Sequence, residues 1–141
     1  MTPVKEAPSL DLTFSHITDG LRILLVEDNS DQHYLVERFL RGSYASLFWA
    51  KSSEEALEMI EQEEFDLFVL DVMLPKMDGW ELFSEIRKIP GHLRTPVLFL
   101  TCVVPPSEEN LASDDHGYCR TLAKPSSKEG FRNAIINLLR G

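Results

Sequence analysis

Two periodicities alternate along the chain. Short apolar runs have the length and polar bounds of β-strands: Arg22–Val26 (RILLV), Leu47–Ala50, Asp66–Leu70, Pro96–Leu100 (PVLFL) and the weaker Arg120–Ala123. The central ones are apolar enough to be buried on both faces. Between them, apolar residues recur at helical spacing. One set is Leu35, Val36, Phe39 and Leu40, another Ala56, Met59 and Ile60, a third Leu82, Phe83 and Ile86, and the last Phe131, Ala134, Ile135 and Leu138. Asn29 with Gln32, Ser52 with Glu55 and Asp78 with Glu81 have capping-box spacing, and Ser127 caps the last helix. Gly42 and Pro90-Gly91 read as helix stops. Pro105-Pro106 breaks the chain, and Glu108–Ser113 predicts a short, polar helix. Strands alternating with helices predict right-handed crossovers. The fold class is therefore α/β, a doubly wound parallel sheet covered on both faces.

Residues 1–20 read as an N-terminal extension, and residues 21–141 as one domain. Pro3 and Pro8 disfavour regular structure in the extension, and Leu10, Leu12 and Phe14 alternate with polar residues. That alternation suits a short strand or a docking arm, but a loosely attached tail is the favoured reading.

Bulk composition narrows the function. The 141 residues, 43% hydrophobic and 26% charged, make one soluble domain with a real core. A formal net charge of -9 argues against nonspecific nucleic-acid or anionic-membrane binding. No apolar run approaches a membrane span, and the first residues lack the pattern of a signal peptide. Cys102 and Cys119 have no metal-ligand spacing and read as thiols, so a cytoplasmic location is expected.

Chemistry collects where the strands end. The first strand runs into Glu27-Asp28, the third ends on Asp71, the fourth on Thr101 and the fifth on Lys124. In open α/β sheets these carboxyl ends form the ligand edge. A carboxylate at Asp71 could simply cap the strand-to-loop transition, and a strand-end Thr is usually structural. Packed together, however, Glu27, Asp28 and Asp71 repel one another. A divalent cation removes that cost, and Mg²⁺ prefers one or two carboxylates plus phosphate oxygens. The site therefore asks for Mg²⁺ and a phosphoryl group, with Asp71 able to act as nucleophile. Lys124 and the Thr101 hydroxyl then balance charge on the phosphoryl oxygens.

These residues carry a family resemblance. The acidic pair in LLVEDN, the block DVMLPKMDG, Thr101 and Lys124-Pro125 together resemble the response-regulator receiver domain of two-component signalling, over about Leu21 to Arg140. The resemblance implies a flavodoxin-like sheet of five strands, order 2-1-3-4-5, flanked by five helices. It implies that Asp71 accepts a phosphoryl group from a sensor histidine kinase. It further implies that Glu27, Asp28, Asp71 and the Met73 backbone carbonyl hold Mg²⁺, while Thr101 and Lys124 report phosphorylation. Side chains two after Asp71 and two after Thr101, here Met73 and Val103, would flank the path of hydrolytic water.

The chain departs from the family's pattern in places. Thr121 stands where a switch Tyr or Phe is usual, and Cys102 where Ala or Ser is usual. The segment between Pro106 and Gly117 is short and polar for a family helix. Seventeen residues follow Lys124, so a stand-alone receiver is expected, acting on a downstream protein target or a phosphotransfer protein. Receivers of this kind serve phytochrome-type and other sensor kinases. Self-association as a homodimer, through the last strand and helix or the Leu10–Phe14 arm, is a further expectation. A phosphate-independent interaction module is the alternative. A phosphohydrolase of the haloacid-dehalogenase type needs a second Asp two residues after the nucleophile, where this chain has Met73. No Gly-rich loop follows the first strand, which disfavours a dinucleotide site.

Overall fold

The computed structural model describes residues 10–102, 118–124 and 127–140. The elements are α1 (Leu10–Ile17), β1 (Arg22–Val26), α2 (Ser30–Leu40), β2 (Ser46–Ala50), α3 (Ser53–Gln62), β3 (Leu67–Asp71), α4 (Gly79–Arg87), a 3-10 turn (Pro90–His92), β4 (Val97–Thr101), β5 (Cys119–Ala123) and α5 (Lys128–Arg140). All strand pairs are parallel, in the order β2-β1-β3-β4-β5. The helix predicted over Glu108–Ser113 lies outside the described residues, as does Val103. None of the helices among the described residues is long and apolar enough to cross a membrane.

Two-residue alternation along the strands builds a core on each face. Leu24, Val26, Phe68, Leu70, Val97 and Phe99 pack under α3 and α4. Ile23, Leu25, Leu67, Val69, Leu98 and Leu100 pack under α2 and α5. β3 is buried at every position, which makes it the axis of the domain and sets its last residue, Asp71, deep in the sheet edge.

The caps largely follow the spacing. Asp78 and Glu81 form a reciprocal capping box. Ser52 accepts from the Glu55 amide at 3.1 Å, but the Glu55 carboxylate turns back to the Lys51 amide at 2.5 Å, so that pair is a one-sided cap. Asn29 accepts from the Gln32 amide at 3.0 Å.

Residues 1–9 lie outside the described residues, but Leu10–Ile17 is neither strand nor loose tail. Leu10, Phe14 and Ile17 stand four and three apart, a helical face as well as part of an alternating pattern. The chain takes the helix, because that places Phe14 in the core beside Phe131 and Ile135 while Leu12 remains 61% exposed. Thr18 closes the helix by donating to the Phe14 carbonyl at 2.7 Å, and Gly20 turns with φ +79°. Arg132, also fully buried, lays its guanidinium 4.5 Å from the Phe14 ring centre. It donates to the carbonyls of Phe39 (2.8 Å) and Arg41 (2.9 Å), satisfying oxygens that the end of α2 leaves open.

Candidate functional site

The edge where the strands finish gathers the residues singled out from the sequence. β1 stops at Val26, so Glu27 follows directly and is buried, with its amide donating to Ala50 at 3.0 Å. Asp28 is exposed. Asp71, at the end of β3, is 3% exposed. One carboxylate oxygen from each of Glu27, Asp28 and Asp71 lies within 4.8 Å of the others. Thr101 is buried at the end of β4, and its carbonyl accepts from the Lys124 amide at 2.8 Å. Lys124 follows β5, and its ammonium lies 3.0 Å from Glu27 and 3.2 Å from Asp71. Four charged side chains thus meet at one edge, with Thr101 joined to Lys124 through the backbone.

Their charges do not cancel. Burial pushes the Glu27 carboxyl up to about 7; the Lys124 hydrogen bond pulls against this, and the negative charge of Asp71 adds to it. Burial works against the Lys124 ammonium, but its bond to Glu27 and the charges of Glu27 and Asp71 outweigh that, and its pKa rises. Lys124 therefore stays protonated at neutral pH, while the carboxylates retain an excess of negative charge. Hard oxygen donors, two buried and one facing water, suit a divalent cation such as Mg²⁺ that keeps part of its water shell.

The loop after Asp71 is held close to it. The Met73 amide donates to Asp71 Oδ1 at 3.1 Å, while Met73 is 64% exposed and borders a shallow depression shared with Asp28, Pro75 and Trp80. Lys76 adopts φ +65°, an unusual conformation for a side-chain-bearing residue. Ser53, fully buried at the start of α3, donates to the Met77 carbonyl at 2.7 Å. Gly79 opens α4 directly against the backbone of β3. A Cβ there would collide with the Asp71 carbonyl oxygen and meet Val72 Cα at 2.8 Å, so only glycine fits.

Thr121 faces Phe99 across the β4–β5 pair. The aromatic mass nearby belongs to other elements: Trp80 and Phe83 of α4 pack on Phe99, with ring centres 4.3 and 5.3 Å apart.

Two features of this edge were missed from the sequence. Gly79 read only as part of an Asp-Gly turn. Trp49 of β2 donates its indole N–H to the Glu27 carbonyl at 2.7 Å and stacks on His33. Its position one residue before the end of β2, beside the strand that carries the acidic pair, was the available signal.

A family model described as the response regulator receiver domain matches residues 23–136. Among curated proteins, the chain is 32% identical over 120 residues to the autoinducer 2 sensor kinase/phosphatase LuxQ of Vibrio vulnificus, covering 84% of this chain and 14% of that protein. The chain thus spans about one seventh of that relative's length. Among solved structures, it matches the Mn²⁺-bound form of response regulator Rcp1 with a TM-score of 0.67 at 29% identity, covering 81% of this chain and 88% of that one. It matches the phosphorylated cyanobacterial phytochrome response regulator RcpA with a TM-score of 0.67 at 27% identity, covering 84% and 89%.

Proposed function

This chain belongs to the response regulator receiver family, whose members are phospho-acceptor signalling modules of two-component systems, and on that premise we propose that Asp71 is its phosphoryl acceptor. The observation that carries the proposal is the single ammonium of Lys124, bonded to Glu27 and Asp71 at once, with Asp28 completing the carboxylate cluster. Glu27, Asp28 and Asp71, with the Met73 backbone carbonyl, are the groups that would hold Mg²⁺. The Mn²⁺-bound form of Rcp1 supports a divalent ion in a domain of this kind. Bound here, Mg²⁺ supplies positive charge against the phosphoryl oxygens.

The chain's own residues do the rest. The Asp71 carboxylate oxygen attacks phosphorus of a phosphohistidine donor. A P–O bond forms as the P–N bond breaks, and the leaving imidazole keeps the electron pair and takes up a proton. Lys124 keeps its proton and pairs with a phosphoryl oxygen; the Thr101 hydroxyl donates to another. The Met73 amide, already on Asp71 Oδ1, fixes the rotamer of the carboxylate.

The donor is a sensor histidine kinase. Likeness to a kinase/phosphatase and to a phytochrome response regulator supports such a partner, the latter pointing to the phytochrome type. Phosphorylation then changes contacts with a downstream protein or a phosphotransfer protein, and residues 21–141 form the receiver unit to which residues 1–20 add an extension. Self-association as a homodimer is part of the same reading, and sedimentation with and without phosphoryl transfer tests it. The principal test is phosphoryl transfer from acetyl phosphate or a purified kinase in Mg²⁺, followed by intact mass and hydroxylamine lability. Uptake of one labile phosphate by the parent and none by Asp71→Asn is the expected result. Equal uptake by the variant overturns the assignment.

A further inference from the structure

We infer that Trp49, which carries no ligand group, is a positioning residue for the acidic pair Glu27-Asp28, and that His33 backs it. The inference rests on the Mg²⁺ reading above and adds to it a residue outside the carboxylate cluster.

The peptide joining Glu27 to Asp28 is where the two carboxylates part. The Glu27 side chain turns inward to Lys124, and Asp28 turns outward to water. The oxygen of that peptide accepts the Trp49 indole N–H at 2.7 Å. The indole is itself held. The His33 ring lies parallel to it, with centres 3.8 Å apart and planes 5° apart, and the Lys51 ammonium sits 5.1 Å from its centre. His33 belongs to α2, and its amide donates to the Asn29 carbonyl at 3.1 Å, so the stack returns to the turn that the acidic pair enters. Asn29 also donates its amide to the Glu27 carboxylate at 3.2 Å.

Half-buried tryptophans on edge strands ordinarily only pack. Here the N–H is aimed at the backbone between two ligand candidates, and two cation-capable side chains border the ring. Like charges close together drive Asp28 outward. A side chain facing water has many rotamers to lose when it captures an ion. Fixing the peptide at its carbonyl limits where the Asp28 carboxylate can go before any ion arrives, which is preorganisation in the sense that lowers the cost of binding.

Trp49→Phe keeps an aromatic face for His33 and removes only the donor. Calorimetric Mg²⁺ titration of the full chain should show the dissociation constant rising about three- to tenfold, as loss of one net hydrogen bond predicts. His33→Ala should raise it about twofold through loss of the stack. Phosphate uptake from acetyl phosphate at saturating Mg²⁺ should return to the parent rate in both variants, a split that general damage would not produce. In the parent without Mg²⁺, the Trp49 indole proton should exchange slowly with solvent by nitrogen-edited NMR, and His33→Ala should speed it. Parent-like Mg²⁺ affinity in Trp49→Phe overturns the role, as does a rate deficit that persists at saturation. Should that variant fail to fold, a rapidly exchanging indole in the parent overturns the role equally. A parent that binds no Mg²⁺ removes the reading beneath it, whereas a binding parent with unaltered variants removes the clamp alone.

Discussion

At the edge where the strands begin, Arg22 donates to the Glu63 carboxylate at 2.6 Å and to the Glu64 carbonyl at 2.8 Å, while its amide bonds the Asp66 carboxylate at 2.8 Å. Its guanidinium lies 4.5 Å from the Phe48 ring centre, and the Arg22–Glu63 pair is about 40% exposed to water on both sides. At the opposite edge, one ammonium serves two buried carboxylates, and a third stands alongside. The first arrangement is open to water, which screens its charges, and needs no ligand. The second is buried apart from Asp28 and sets one ammonium against three carboxylates. A domain of this size tolerates that deficit at one edge because the core beneath it is closed, and the deficit is what a cation and a phosphoryl group relieve. Stability and function thus sit at opposite ends of the same five strands.

The contrast can be broken by substitution. Asp71→Asn should abolish labile phosphate uptake without lowering the melting temperature of the metal-free chain, since it removes a repelling charge and leaves Lys124 bonded to Glu27. A large drop in melting temperature would mean that Asp71 is a structural ion-pair member like Glu63. Away from both edges, Phe14→Ala should cost about 3–5 kcal/mol in chemical denaturation, with phosphate uptake at saturating Mg²⁺ unchanged; an effect below about 1 kcal/mol would contradict the packing of α1.

Met73 sharpens the functional side. Met73 is exposed two residues after Asp71, and its apolar side chain cannot orient an attacking water by ordinary hydrogen bonds. The phosphorylated parent should be long-lived, and Met73→Asn or Met73→Glu should hasten decay of the label, by up to about a hundredfold if water becomes well placed. Unaltered decay in both would remove Met73 from control of the water.

Acid titration offers a further comparison. Glu27 is raised from 4.5 to about 7 on folding, so between those values the folded chain holds a proton that the unfolded chain has released. Stability of the metal-free protein should therefore fall as pH rises from about 4.5 to 7 and then level off. Saturating Mg²⁺ should flatten that slope, because the ion takes the place of the proton; denaturation curves across this range read it directly. The smallest effect belongs to the opposite edge. Glu63→Gln should change stability by about 0.2–1 kcal/mol and leave phosphate uptake untouched.

Much of this arrangement was legible in the chain. A strand run of four apolar residues, Leu67–Leu70, ending on a carboxylate is readable because a strand buried on both faces tolerates no polar interruption, so Asp71 marks its end. Sheet order was readable only through the family resemblance, since periodicity locates strands without pairing them. Phe14 misled because alternation over five residues and a helical face share two of their positions; burial against α5, more than a hundred residues later, decides between them. Arg132 was invisible for the related reason that a charged residue on an apolar helix face reads as solvent-facing, while here the open carbonyls of α2 receive it. Trp49 and Gly79 act through backbone atoms, one by donating to a carbonyl and one by having no Cβ, and such roles leave no pattern in side-chain chemistry.

The seating of α1 on α5 also bears on how the protein is made. Phe131 and Ile135, which share a core with Phe14, leave the ribosome more than a hundred residues after it. At about 5–20 residues per second, that gap lasts on the order of ten seconds. Throughout it, one face of the sheet has no complete cover, and a contact this distant in sequence cannot form early. The nascent chain is therefore a client for any holding factor that recognises exposed phenylalanine. Substitutions that loosen α5 should reduce the yield of soluble protein in cells more than their equilibrium stability suggests.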